Sequence, residues 1–315
     1  MVAGGSCTQK RPLGKHFCKR FRESKYLLIL FLPTALYFLI FSYAPMFGLV
    51  IAFKDYNLFQ GIAQSDWVGF KYFKMLFVDN PDFWPLMLNT LRIGLYSFVF
   101  GFPAPILFAL LLNEVTNLRF KKLVQTVSYL PHFLSNVIVA SMILMFLSPD
   151  DGMVNVMLQK LGMEPIYFMS KPEFFVPVYI ISGLWQEIGW GTIIYLAAIA
   201  GVDPNLYEAA ELDGCNRWQK MWHVTLPGIA NVIIVLSILN IGGIMGTSFE
   251  KVLLLSNPAT YSVSEIFSTY TYKIGMENGN FSYATAVGIF NGVVSFILVV
   301  GANFAAKKWR GSSLW

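Results

Sequence analysis

Six long apolar runs constrain this chain more than any other feature; they lie near residues 26–53, 88–112, 123–147, 174–200, 224–247 and 283–306. Each is long enough for a bilayer crossing, which takes about 20 residues of helix. In hydrocarbon every backbone N–H and C=O needs a partner inside the protein, so such runs fold as helices. The prediction is an all-α membrane protein with six transmembrane helices and one transmembrane domain, 26–306. Composition agrees, because charged residues make up 13% of the 315 and apolar residues 56%, against about 25% charged in soluble domains. Pro33 and Pro45 fall inside an overlong first run, which predicts a kink or tilt there.

Charge sets the expected orientation. Residues 1–25 carry seven Lys or Arg against a single acid, Glu23, and read as a basic cytoplasmic lead. The apolar run behind them is too long for a signal-peptide core and lacks a small-residue cleavage site, so a retained first span is expected. With that end inside, segments 1–25, 113–122, 201–223 and 307–315 hold 15 Lys or Arg, while the three outer segments hold seven. This follows the positive-inside rule, so both termini and the 201–223 loop are expected in the cytoplasm. The net charge of +5 then reflects topology and gives no reason to expect nucleic acid. Cys7, Cys18 and Cys215 all fall on the cytoplasmic side, and no disulfide is expected.

Outside the spans, Trp67, Phe70, Phe73 and Trp84 suit anchoring at the headgroup level. Residues 264–276 place Ile266, Phe267, Tyr270 and Ile274 at helical spacing, as in a helix lying on the outer surface. Gly242 with Gly246 and Gly288 with Gly292 are small pairs four apart, which permit close helix packing.

Enzymatic chemistry finds little footing. No G-x-x-x-x-G-K-[ST] phosphate loop, H-E-x-x-H or G-x-S-x-G occurs, and His16, His132 and His223 have no metal-ligand spacing. The chain is expected to be no enzyme and to bind no cofactor or metal of its own. Two ionisable residues fall within the spans, Arg92 and Glu187. A carboxylate in mid-span is costly and is a candidate for the path of a polar solute, with a structural hydrogen bond or ion pair as the even alternative. Gly183, Glu187, Trp190 and Gly191 share one helix face, flanked by Trp185 and Gln186. Asn240 and Asn291 either line the same path or join helices, and Arg92 is short enough a way into its span to snorkel.

Residues 203–227 form a polar island between two spans. Asp203 suits an N-cap, Pro204 the first helical position and Gly214 the C′ position, which predicts a helix of about ten residues. A second turn places Trp218, Met221 and Trp222 on one apolar face. The island matches the cytoplasmic E-A-A signature of bacterial binding-protein-dependent ABC importers at Glu208, Ala209, Ala210, Gly214, Leu226 and Pro227, with Val224 in place of Ile. Six fixed positions at background frequencies arise by chance in well under one of about a thousand chains.

The chain also resembles the maltose-type sugar permeases, above all their complex-polysaccharide and oligosaccharide branch. The resemblance rests on Trp67-Val68-Gly69, Asn89-Thr90, Leu110-Leu111-Leu112-Asn113 and Gly201-Val202-Asp203-Pro204. It implies a type I ABC importer permease fold in a bacterial cytoplasmic membrane. It also implies a second permease subunit as a heterodimer partner, two cytosolic ATPase subunits that hold ATP and Mg, and an extracytoplasmic solute-binding protein. The island would be the coupling helix seated on an ATPase, and alternating access would carry an oligosaccharide or polysaccharide fragment inward. The alternative open at this point is a stand-alone secondary transporter or channel that uses Glu187.

Overall fold

The computed structural model describes residues 25–246 and 249–310. Nearly all of the basic lead, with Cys7, His16 and Cys18, and the last five residues of the tail lie outside the described residues. The chain is helical almost throughout, in elements α1 (Lys25–Phe53), α2 (Phe83–Glu114), α3 (Leu118–Phe133), α4 (Asn136–Phe146), α5 (Pro172–Ala200), α6 (Pro204–Leu212), α7 (Arg217–Gly228), α8 (Ala230–Gly242), α9 (Phe249–Leu255), α10 (Phe267–Tyr272) and α11 (Phe281–Arg310). A two-residue antiparallel ladder pairs Lys54 with Trp67 and Asp55 with Asp66.

Among the described residues α1, α2 and α11 are each long and apolar enough to cross a membrane, and two bent pairs raise the number to five if each pair is one span. The predicted third span is one such pair: α3 and α4 meet at 100°. Pro131 sits in the tight last turn of α3, and Ser135 caps α4 by accepting from the Ile138 N–H at 3.3 Å. The run holds Pro131, His132, Ser135 and Asn136 at this corner, but average hydropathy carries no information about direction. In the second pair α7 and α8 meet at 63°, after a widened π turn at Met221–Thr225 that precedes Pro227. Proline lacks the N–H that a regular helix would use, which accounts for the local loosening. Helix α7 thus begins at Arg217, so Pro227 lies within it and does not open the fifth span. The expected fourth span, α5, is not among these five; it has 29 residues and so is about 43 Å long, ample in length for a crossing. Its middle carries Gln186 and Glu187, which lower its apolarity.

Three buried clusters run along the bundle. One gathers Ala52, Leu76, Phe83, Leu86, Phe267, Tyr283 and Val287. The second joins Ile93, Ala140, Phe175, Tyr179, Val252 and Ile266. The third packs Ile106, Leu110, Tyr195, Ile199, Met221 and Ile229 beneath the 203–227 island. Residues 264–276 are not a surface helix: Ile266 and Phe267 are fully buried between the first two clusters. Asn89 and Thr90 fasten this segment to α2, Asn89 Nδ2 donating to Ser262 O at 3.0 Å and Thr90 Oγ1 accepting from the Phe267 N–H at 3.1 Å.

Close helix contact occurs where small residues allow it. A Cβ on Gly189 would collide with the Ser128 backbone, so glycine there lets α5 lie directly on α3. A Cβ on Gly242 would collide with the Val299 side chain of α11, whereas Gly288 and Gly292 face open space in this chain. Lys25–Phe38 of α1 buries no side chain, and Leu30 and Phe31 are 75% and 62% exposed. A helix apolar all round needs lipid or another protein chain about it.

Candidate functional site

The predicted path residues divide. Glu187 and Asn240 line a common cavity of about 350 Å³, together with Ser97, Asn136, Tyr179 and Lys251. Trp185, Trp190, Asn291 and Arg92 are not in its lining. Trp185 faces the other way, into an apolar cavity of about 500 Å³ walled by α4 side chains such as Val139 and Met142. Asn291 joins helices instead, its Nδ2 donating to Met245 O at 3.3 Å. Arg92 is exposed on α2.

Glu187 is not an isolated charge. Its Oε2 lies 2.9 Å from His132 Nδ1, and the His132 ring stacks on Trp190 with centroids 4.4 Å apart and planes 5° from parallel. Trp190 therefore orients the imidazole, and the imidazole orients the carboxylate. The α3–α4 corner makes this possible, because it turns His132 and Asn136 toward α5. Gln186, the residue before Glu187, braces the corner by donating to Leu134 O at 3.2 Å. The Glu187 side chain is 56% exposed in the single chain, so the face expected to line a path is open on one side.

Lys251, Glu250, Asn136 and Tyr179 belong to the cavity region and were not singled out from the sequence. Asn136 Nδ2 donates to Glu250 Oε2 at 2.7 Å. Lys251 is 3% exposed, and its Nζ lies 5.5 Å from the Tyr179 ring centroid. Burial pushes its ammonium down to about 8, against the opposing pull of the Glu187 carboxylate. The sequence signal was modest: two charges, Glu250 and Lys251, directly behind an apolar run.

The island adopts the punctuation read from its residues. Asp203 caps α6, its Oδ1 accepting from the Asn205 N–H at 3.0 Å, and Pro204 occupies the first turn. At the other end Cys215 N–H donates to Ala210 O at 2.9 Å and Gly214 N–H to Glu211 O at 3.0 Å, the paired bonds of a Schellman cap. Gly214 has φ +79°, a left-handed conformation that favours glycine. Glu208 and Ala209 are exposed on α6, while Ala210 is buried against the body. Tyr207 Oη lies 2.9 Å from Thr225 Oγ1 and Lys220 pairs with Glu211 at 2.5 Å, so α6 and α7 are held together. The expected Trp218, Met221 and Trp222 face is split: Met221 enters the third core cluster, and the two tryptophans stay exposed at 62% and 53%. Leu226 packs at the edge of that cluster, and Pro227 is exposed. The outcome is a firmly mounted ridge with exposed Leu206, Leu212, Trp218 and Trp222.

Comparison with known proteins agrees with this architecture. Residues 101–311 match the family model described as binding-protein-dependent transport system inner membrane component. The chain is 49% identical over 306 residues to the polygalacturonan/rhamnogalacturonan transport system permease protein YteP of Bacillus subtilis, covering 97% of this chain and 95% of the relative. It is 47% identical over 294 residues to protein LplB of the same organism, covering 93% and 92%. A chain in the crystal structure of a bacterial ABC transporter involved in the import of the acidic polysaccharide alginate superposes with TM-score 0.86 at 42% identity, covering 94% of this chain and 99% of that one. The helical architecture is accordingly the type I ABC permease fold. The chain belongs to the family of binding-protein-dependent transport system inner membrane components, as a membrane permease of an ABC importer.

Proposed function

We propose that this chain is one of two permease subunits of an importer that carries an oligosaccharide or polysaccharide fragment, powered by two cytosolic ATPases that hold ATP and Mg. The observation that carries the reading is the island: the E-A-A residues sit on a capped, exposed helix braced, through α7, against the third buried cluster. Glu208 and Ala209 would meet the ATPase surface, Gly214 would set the bend, and Leu226 with Pro227 would pass the motion into α8. Helix α6 is tied to α7 through Tyr207–Thr225 and Glu211–Lys220, and α7 to the core through Met221, so the pair would move as a lever with the bundle, which suits rigid-body alternating access. The relatives' substrates, polygalacturonan, rhamnogalacturonan and alginate, support a sugar cargo.

Other parts of the reading rest on particular features. The half-open face around Glu187 and the unburied apolar surface of Lys25–Phe38 support a second permease that completes the path, with membrane lipid elsewhere. An alginate transporter has been seen with an alginate pentasaccharide-bound periplasmic protein, which supports an extracytoplasmic binding protein as donor. The Lys and Arg distribution supports six crossings with both termini and the 201–223 loop in the cytoplasm. A stand-alone secondary transporter is not favoured by the family to which the chain belongs. The test is to purify the chain with its partner permease, ATPases and binding protein and to replace Glu208 by Lys. Loss of ATPase co-purification, or of ATP hydrolysis stimulated by loaded binding protein, is expected; full retention of both would remove α6 from the coupling role.

A further inference from the structure

Lys251 presents an unusual combination of burial and chemistry. Its Nζ is enclosed, yet it has no hydrogen-bond partner among the described residues. Both neighbouring carboxylates are engaged elsewhere, Glu187 with His132 and Glu250 with Asn136. A buried ammonium without an acceptor is unfavourable, and a fold tolerates it where a bound group supplies the missing partner. Contact with the Tyr179 ring lessens that penalty but fills none of the three N–H donors.

The surroundings indicate what the partner is. Among aliphatic side chains such as Ile180 and Leu184, the cavity that Lys251 lines also presents a hydroxyl at Ser97 and amides at Asn136 and Asn240, groups that exchange hydrogen bonds with sugar hydroxyls. Gly183 lies on the facing turn of α5, where a built Cβ would stand 3.8 Å from Nζ, so no side chain separates the ammonium from that turn of the cavity wall. One lysine opposite one glutamate suits a singly charged group better than a doubly charged phosphate. Resting on the importer reading above, we propose that Lys251 binds a carboxylate of the translocated sugar, and that the cargo of this permease is a uronic-acid oligosaccharide. Glu187, held back by His132, would set the opposite wall and discourage more highly charged solutes.

The test uses the complete complex of both permeases and the ATPases in detergent, without binding protein, so that selection by the latter does not enter. Equilibrium binding of trigalacturonate is compared with that of the same trimer after reduction of its carboxyl groups. Wild type is expected to prefer the acidic trimer; Lys251→Met should weaken that binding by at least about tenfold while changing the neutral trimer less than about twofold. Lys251→Arg keeps the charge and should keep the preference, and Lys251→Gln serves in place of Met if the latter fails to co-purify with its partners. Equal losses for both trimers in Met and Gln variants, or no loss for either, would overturn the proposal. If wild type binds neither trimer, the oligosaccharide reading fails and this one with it. If wild type and Lys251→Met bind both trimers alike, the importer reading stands and only the role of Lys251 falls.

Discussion

Replacing Gly214 tests how far the end of α6 depends on backbone conformation alone. A Cβ built on this glycine meets nothing within 4 Å, so a substitution causes no collision. The cost is confined to φ, which at +79° places the residue in the left-handed region. For an ordinary L residue that conformation costs about 1–2 kcal/mol, least for Asn and most for a β-branched residue. Two hydrogen bonds depend on it, from Gly214 N–H to Glu211 O and from Cys215 N–H to Ala210 O. Amide hydrogen exchange at Gly214 and Cys215 reads the cost directly. At about 1 kcal/mol for Ala, exchange should accelerate about fivefold; at about 2 kcal/mol for Val, about thirtyfold; Asn should lie below Ala. In the assembled transporter the stimulated ATPase rate should fall in the same order, while core amides such as that of Ile199 keep their protection. Equal effects of Asn and Val, or protection lost across the whole chain, would refute the view that Gly214 serves through its backbone angle.

Two further outcomes follow from named contacts. His132→Phe keeps a ring to stack on Trp190 but frees Glu187, so thermal stability should stay within about 1 kcal/mol of wild type while sugar uptake falls; His132→Ala should lose about 0.5–1.5 kcal/mol more, and equal melting of the two variants would show that the stack contributes nothing. In the 54–87 segment, Asp55 accepts from Tyr72 Oη at 2.7 Å and from Lys71 Nζ at 3.1 Å, and these bonds, the tyrosine first, hold its carboxyl below the usual 3.8. A carboxyl whose folded value is depressed contributes stability above its unfolded value and loses it as pH falls through the folded one. Acid titration of Trp67 fluorescence should therefore show the segment loosening only below about pH 4, and Tyr72→Phe should move that loosening to higher pH. An unchanged midpoint in Tyr72→Phe would dismiss the tyrosine as the main support.

The parts legible from the sequence were those with local causes. Asp203, Pro204 and Gly214 fix the two ends of α6 through their own backbone and capping chemistry, so their positions sufficed. Apolar length identified the helices that need a membrane. It did not reveal the 100° corner between α3 and α4, because Pro131 and Ser135 sit within a run whose average hydropathy stays high and says nothing of direction. The same limit applied to residues 264–276, where an amphipathic pattern fits a surface helix and a helix docked in the core equally well; the docked state is fixed by Thr90 and Asn89 on a distant helix.

What the sequence by itself determined, then, is a helical membrane chain with a family signature on one short capped helix, since helix caps, apolar length and motif spacing act over a few residues. What only the tertiary structure decided is the company each polar side chain keeps. Glu187 and Lys251 are 64 residues apart in sequence and line one cavity, and His132, 55 residues before Glu187, occupies the carboxylate through a corner that no local pattern announces. Trp185, adjacent in sequence to the buried Gln186, faces a different cavity altogether. Electrostatic pairing depends on distance in space, and in a bundle of helices that distance is set by crossings and bends, which sequence spacing does not encode.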